Sequence, residues 1–113
     1  GAAMYYLTVA ELKAMGTKAY GEPVRLTGWV TADPATAEPS RMTLRFTVAD
    51  EEGAGERMAV VYRGVVPDGF QTGAEVVVEG QYTASGVFEA NKLLTKCPSK
   101  YEIEDQEGSE NPK

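Results

Sequence analysis

Between Val24 and Lys96, apolar and polar side chains alternate with a period of two, and the alternation restarts after every turn-like stretch. Val24, Leu26, Gly28 and Val30 alternate with Arg25, Thr27 and Trp29, which predicts a first strand with one face inward. A polar, proline-containing loop (residues 32–40) follows. Met42, Leu44, Phe46 and Val48 then alternate with Thr43, Arg45 and Thr47 in a second, half-buried strand. The acidic, glycine-rich residues 50–56 read as a turn, and residues 57–63 as a third strand, apolar on both faces. "PDGFQTG" (residues 67–73) is turn chemistry around Phe70. Residues 75–82 form a fourth strand with Val76 and Val78 inward. The "ASG" turn leads into a fifth strand from Val87 to about Lys96, with an irregularity expected at Asn91-Lys92. Helical spacing occurs only near the start. Thr8-Val9-Ala10-Glu11 has the form of a capping box, Leu12 and Met15 follow one turn apart, and Gly16 suits the position past the end, so residues 8–15 read as a short helix.

Short strands in series with one helix point to an all-β fold, a small five- to six-stranded barrel of the oligonucleotide/oligosaccharide-binding (OB) type, because closure removes the sticky edges of so small a sheet. A small β-sandwich is the second choice. The 113 residues, 42% apolar and 25% charged, fit one globular domain. The domain is expected over residues 1–101, with a flexible, disordered acidic tail over 102–113. Five acids (Glu102, Glu104, Asp105, Glu107 and Glu110) against Lys113 leave −4 after Tyr101, out of −6 for the whole chain. The body is close to neutral and lacks the cationic footprint that phosphate backbones require, so no nucleic acid is expected as partner. No apolar run approaches the eighteen or so residues of a membrane span. Gly1-Ala2-Ala3-Met4 reads like a trimmed or engineered start, from which an anchoring segment is expected to have been left off.

With no histidine and one cysteine, catalytic Ser-His-Asp and Cys-His arrangements are excluded, as are an internal disulfide and a structural zinc site. The lone Cys97 sits in "KCPSKY", where the fifth strand ends. Free cysteines are often simply packed as small apolar side chains. Here Pro98 stops regular pairing, and Lys96 and Lys100 favour the thiolate, which reads as a reactive thiol at the rim. Tyr101 alone reads as half-buried packing. Together the two suit haem, since thiolates and phenolates both ligate haem iron and a thiol can add to a haem vinyl. Trp29 reads as an aromatic covering the barrel or, on an exposed face, a stacking platform. Glu51-Glu52 lacks the spacing and partners of a metal site, and Gly53-Ala54-Gly55 is too short for a phosphate loop.

Four stretches carry a resemblance to a known family: "YYLTVAEL" (residues 5–12), "VVYRGVVPDGF" (60–70), "VVVEGQYTASGVFEANKLLTK" (76–96) and "CPSKY" (97–101). In this order and spacing the chain resembles the cytochrome c maturation protein E family, membrane-anchored periplasmic haem chaperones. The resemblance implies an OB-type barrel holding haem (protohaem IX) covalently but transiently. The common family motif is H-x-x-x-Y, with histidine joined to a vinyl and tyrosine on the iron. Here Cys97 takes the histidine's place, as a thioether to the vinyl or as an iron ligand, and Tyr101 is the implied axial ligand. The resemblance further implies a chaperone rather than an enzyme, anchored by an N-terminal helix at the periplasmic side of the bacterial inner membrane. Its implied partners are membrane-bound haem-delivery and haem-ligation components and apocytochrome c. Two other classes stay open from the residues themselves. One is a binding barrel for single-stranded nucleic acid or oligosaccharide, with Trp29 and Tyr62 stacking on the ligand. The other is a thiol redox module built on Cys97.

Overall fold

A computed structural model describes residues 4–96. Cys97, Tyr101 and the expected tail lie outside the described residues. In chain order the elements are β1 (Tyr5–Leu7), α1 (Val9–Met15), β2 (Val24–Val30), β3 (Thr36–Glu38), β4 (Thr43–Glu51), β5 (Ala54–Arg63), β6 (Glu75–Tyr82) and β7 (Val87–Thr95). Hydrogen bonding runs β2–β6–β7–β5–β4, and β4 returns to β2, so five strands close into the expected OB-type barrel. All neighbours in that circuit are antiparallel except β5 and β7. The inward valines of β2, β4, β5 and β6 (Val24, Val48, Val60, Val76 and Val78) meet Leu26 and Phe88 in a core that is essentially closed to solvent.

The helix seals one end of the barrel with the fully buried Val9 and Leu12. Its first turn is held twice. The capping box forms as expected: Thr8 Oγ1 accepts from the Glu11 amide at 3.1 Å, and Glu11 Oε1 accepts from the Thr8 amide at 2.9 Å. In addition, the two carboxylate oxygens of Asp50 on β4 accept from the amides of Val9 (2.7 Å) and Ala10 (3.0 Å). Local sequence starts the helix, and a residue forty positions on fixes it to the barrel.

Several boundaries differ from the sequence reading. β1 and β3 were not expected; β1 pairs in parallel with the first half of β2, and β3 pairs with the start of β4. Met42 does not begin the second strand. It ends a tight turn over Pro39–Arg41 in the left-handed region (φ 50°), with its carbonyl accepting from the Gly64 amide at 2.8 Å. The connection expected over 50–56 shrinks to a tight hairpin, because pairing continues to Glu51 opposite Ala54. β5 turns Met58, Val60 and Tyr62 inward, while its outer face carries apolar Ala59 and Val61 between the exposed Arg57 and Arg63, so the expected apolar character on both faces holds in its middle.

The expected irregularity in the last strand is a β-bulge. Glu79 stands opposite Lys92 and Gly80 opposite Ala90, so Asn91 is the extra residue. The parity of β7 therefore flips. Phe88 and Ala90 face the core, then Leu93 does, and Lys92, Leu94 and Lys96 are exposed together. Gly80 permits this geometry, since a Cβ there would overlap the carbonyl oxygen of Glu89.

Candidate functional site

β7 delivers the chain to residue 97, and its end is held from two sides. The Lys96 amide donates to the Glu75 carbonyl at 2.9 Å, and its Nζ reaches Glu75 Oε2 at 3.1 Å. Thr95 Oγ1 donates to the Asp68 carbonyl at 3.2 Å. Asp68 belongs to the β5–β6 connection, which is pinned where Phe70 packs edge-on against Phe46 with ring centres 4.9 Å apart. The last described residue before Cys97 is therefore an anchored lysine.

The outward row leading to that point is mixed, with Leu94 standing between Lys92 and Lys96. Leu94, 50% exposed, lies opposite Val77 of β6, which in turn lies opposite Thr27 of β2. Val77 is only 8% exposed yet does not belong to the interior cluster, so its neighbours on the outer face cover it. Val65 and Val66, 73% and 44% exposed, span the stretch between Tyr62, opposite Ala90, and Asp68, bonded to Thr95. They flank the same half of β7. Trp29 is half-buried, opposite Glu75 on one side and Ala49 on the other, as a covering aromatic would be.

The site residues named from sequence, Cys97 and Tyr101, lie outside the described residues. Among the described residues no three His, Cys, Asp or Glu side chains gather as a metal site. The reading of Tyr62 as a stacking platform is overturned: its ring is 5% exposed, and its hydroxyl donates to the Val65 carbonyl at 2.6 Å. The outward row of Lys92, Leu94 and Lys96 was missed. Its signal was the spacing Phe88, Ala90, Leu93, two residues and then three, which announces a parity change.

The family model of the CcmE domain matches residues 3–104, a span that includes Cys97 and Tyr101. The chain belongs to the CcmE family. Among CcmE relatives, the cytochrome c-type biogenesis protein CcmE of Methylococcus capsulatus is 34% identical over 98 residues, covering 87% of this chain and 61% of the relative. That of Hyphomonas neptunium is 34% identical over 97 residues, covering 86% and 67%. The chain thus spans about three fifths to two thirds of these CcmE proteins. A solution structure described as the OB-fold domain of the haem chaperone CcmE from Desulfovibrio vulgaris is 39% identical, with a TM-score of 0.58 over 67% of this chain and 88% of that one. The crystal structure of yeast Stn1 and Ten1 matches with a TM-score of 0.63 over 90% of this chain and 68% of that one. At 9% identity it shares the barrel fold alone.

Proposed function

We propose that this CcmE-family domain is a haem chaperone of cytochrome c maturation, holding protohaem IX transiently through Cys97 with Tyr101 as an axial iron ligand. It binds and hands on its cargo rather than turning over a substrate. The observation that carries this reading is the match of the CcmE family model over residues 3–104, and the solvent-exposed Leu94, Val65 and Val66 support it. A flat, largely apolar macrocycle suits exposed apolar side chains of this kind. The surface is shallow, and a cargo that must leave is better served by it than by an enclosing pocket.

Two bonds are open to the thiol. As thiolate it donates a lone pair to iron. In thioether formation S–H adds across a vinyl C=C: sulfur bonds one vinyl carbon, the proton goes to the other, and no oxidant or reductant is consumed. The haem donors and ligases are membrane-bound components at the periplasmic side of the bacterial inner membrane, where an N-terminal helix anchors the full protein, and apocytochrome c is the acceptor.

The test is a titration of wild type, Cys97→Ala and Tyr101→Phe with oxidised and reduced haem, followed by absorption and mass spectrometry. Both variants are expected to bind more weakly and to show altered iron-sensitive bands. A haem-sized mass increase mapped to Cys97 identifies the thioether. Identical spectra and affinities for all three proteins overturn the reading.

A further inference from the structure

β7 is paired on both sides only in its first half. Val87 to Ala90 lie between β5 and β6, whereas after the bulge at Asn91 the strand pairs with β6 alone. Lys96, opposite Glu75, donates its amide to that residue's carbonyl. Antiparallel alternation then turns the backbone groups of Lys92 and Leu94 toward β6 and those of Leu93 and Thr95 away from it. Among the described residues no hydrogen bond reaches the amide or carbonyl of Leu93 or Thr95. The segment after β5 bows aside rather than covering them. The Gly64 amide is bonded to the Met42 carbonyl at 2.8 Å, and the chain returns to β7 only where the Thr95 hydroxyl reaches the Asp68 carbonyl. The second half of β7 is therefore an open strand edge.

A row of free amides and carbonyls at strand spacing is matched by another extended chain, whose own backbone groups continue the ladder. The side chains around the edge specify what that chain carries. Lys92 stands on the outer face, and Glu79 opposite it is held by Arg25 Nε at 2.7 Å. Arg63 is exposed where β5 leaves the edge. Among the described residues neither Lys92 nor Arg63 is in an ion pair. Glu89 stands opposite Val61, where β5 still occupies the edge, so an incoming strand does not replace a partner there. Asp68 lies at the far end, beside Thr95, and confines the cationic stretch to the Lys92 side. Val65 and Val66, 73% and 44% exposed, border the same edge. We infer that residues 91–95 dock an extended peptide of a partner protein by strand addition. Acidic side chains of that peptide face Lys92 and Arg63, and apolar ones lie against Val65 and Val66. The inference does not depend on haem.

The probe is a short synthetic peptide of alternating glutamate and valine, with an alternating lysine and valine peptide as its counterpart. Amide hydrogen exchange of the full chain is followed residue by residue. In the free protein the Leu93 and Thr95 amides are expected to exchange fast, and those of Lys92 and Leu94 slowly. The glutamate peptide is expected to slow Leu93 and Thr95 severalfold, and the lysine peptide to leave them unchanged. Thr95→Pro removes one edge amide without touching the ladder to β6, and is expected to weaken binding about two- to tenfold, the size of one hydrogen bond. Thr95→Val loses the hydroxyl but keeps the amide, and is expected to bind as wild type does. If the glutamate peptide leaves both amides fast, or both peptides slow them equally, the inference falls. It falls also if the two amides are already slow in the free protein and speed up on dilution, since a second copy of the chain then covers the edge. Should Thr95→Pro fail to fold, the exchange pattern of the wild type decides alone.

Discussion

Leu93 and Leu94 are neighbours in sequence with opposite environments, one 4% and the other 50% exposed. Leu93→Ala is expected to cost about 2–5 kcal/mol of stability, as truncating a packed core leucine does. Leu94→Ser is expected to change stability by about 0.5 kcal/mol or less while weakening haem binding. Urea unfolding beside haem titration separates the pair, and a large stability loss for Leu94→Ser refutes its place on the outer face. Asp50 poses a different test. Its two carboxylate oxygens satisfy two amides in the first turn of α1, so Asp50→Ala is expected to destabilise the fold by about 1–2 kcal/mol, in the range of a lost helix cap. The same unfolding experiment checks it, and a change too small to measure rejects the staple between helix and barrel.

Among the elements, the bulge between β6 and β7 decides what the last strand displays. Gly80→Ala cannot coexist with the present approach of the Glu89 carbonyl. The ladder must shift, and the expected result is a stability loss of about 2 kcal/mol or more together with lost haem binding, from overpacking and misdirected side chains. Wild-type haem affinity in Gly80→Ala would show that the parity of Leu94 does not matter. Much of this was legible beforehand. The first two strands showed two-residue alternation, the other three were set off by turn chemistry, and Thr8 and Glu11 announced the helix. β1 and β3, at three residues each, are too short to display a period, and they form because β2 and β4 leave edges for them. Met42 looked like a strand residue because its hydrophobicity fitted the pattern, whereas its amide donates to the Pro39 carbonyl at 3.0 Å and closes a turn. The exposure of Leu94 was not legible, because orientation after a bulge depends on pairing with β6.

At the scale of the whole molecule, residues 102–113 are acidic in composition, with a charge of −4. Deleting them is expected to leave the unfolding free energy within about 0.5 kcal/mol of wild type, and a larger loss would show that the tail belongs to the folded domain. The barrel also has a direction. Met4 lies against Pro23 and Gln81, whereas Lys96 is bonded to Glu75, six residues away along β6 or about 20 Å. Met4 and Lys96, the first and last described residues, thus lie toward opposite ends of the barrel. A tether attached ahead of β1 would act as the foot of a bracket, holding the Lys96 end clear of whatever surface bears the tether. Under the proposed function, donor and acceptor would take turns at that end without either having to displace the mounting.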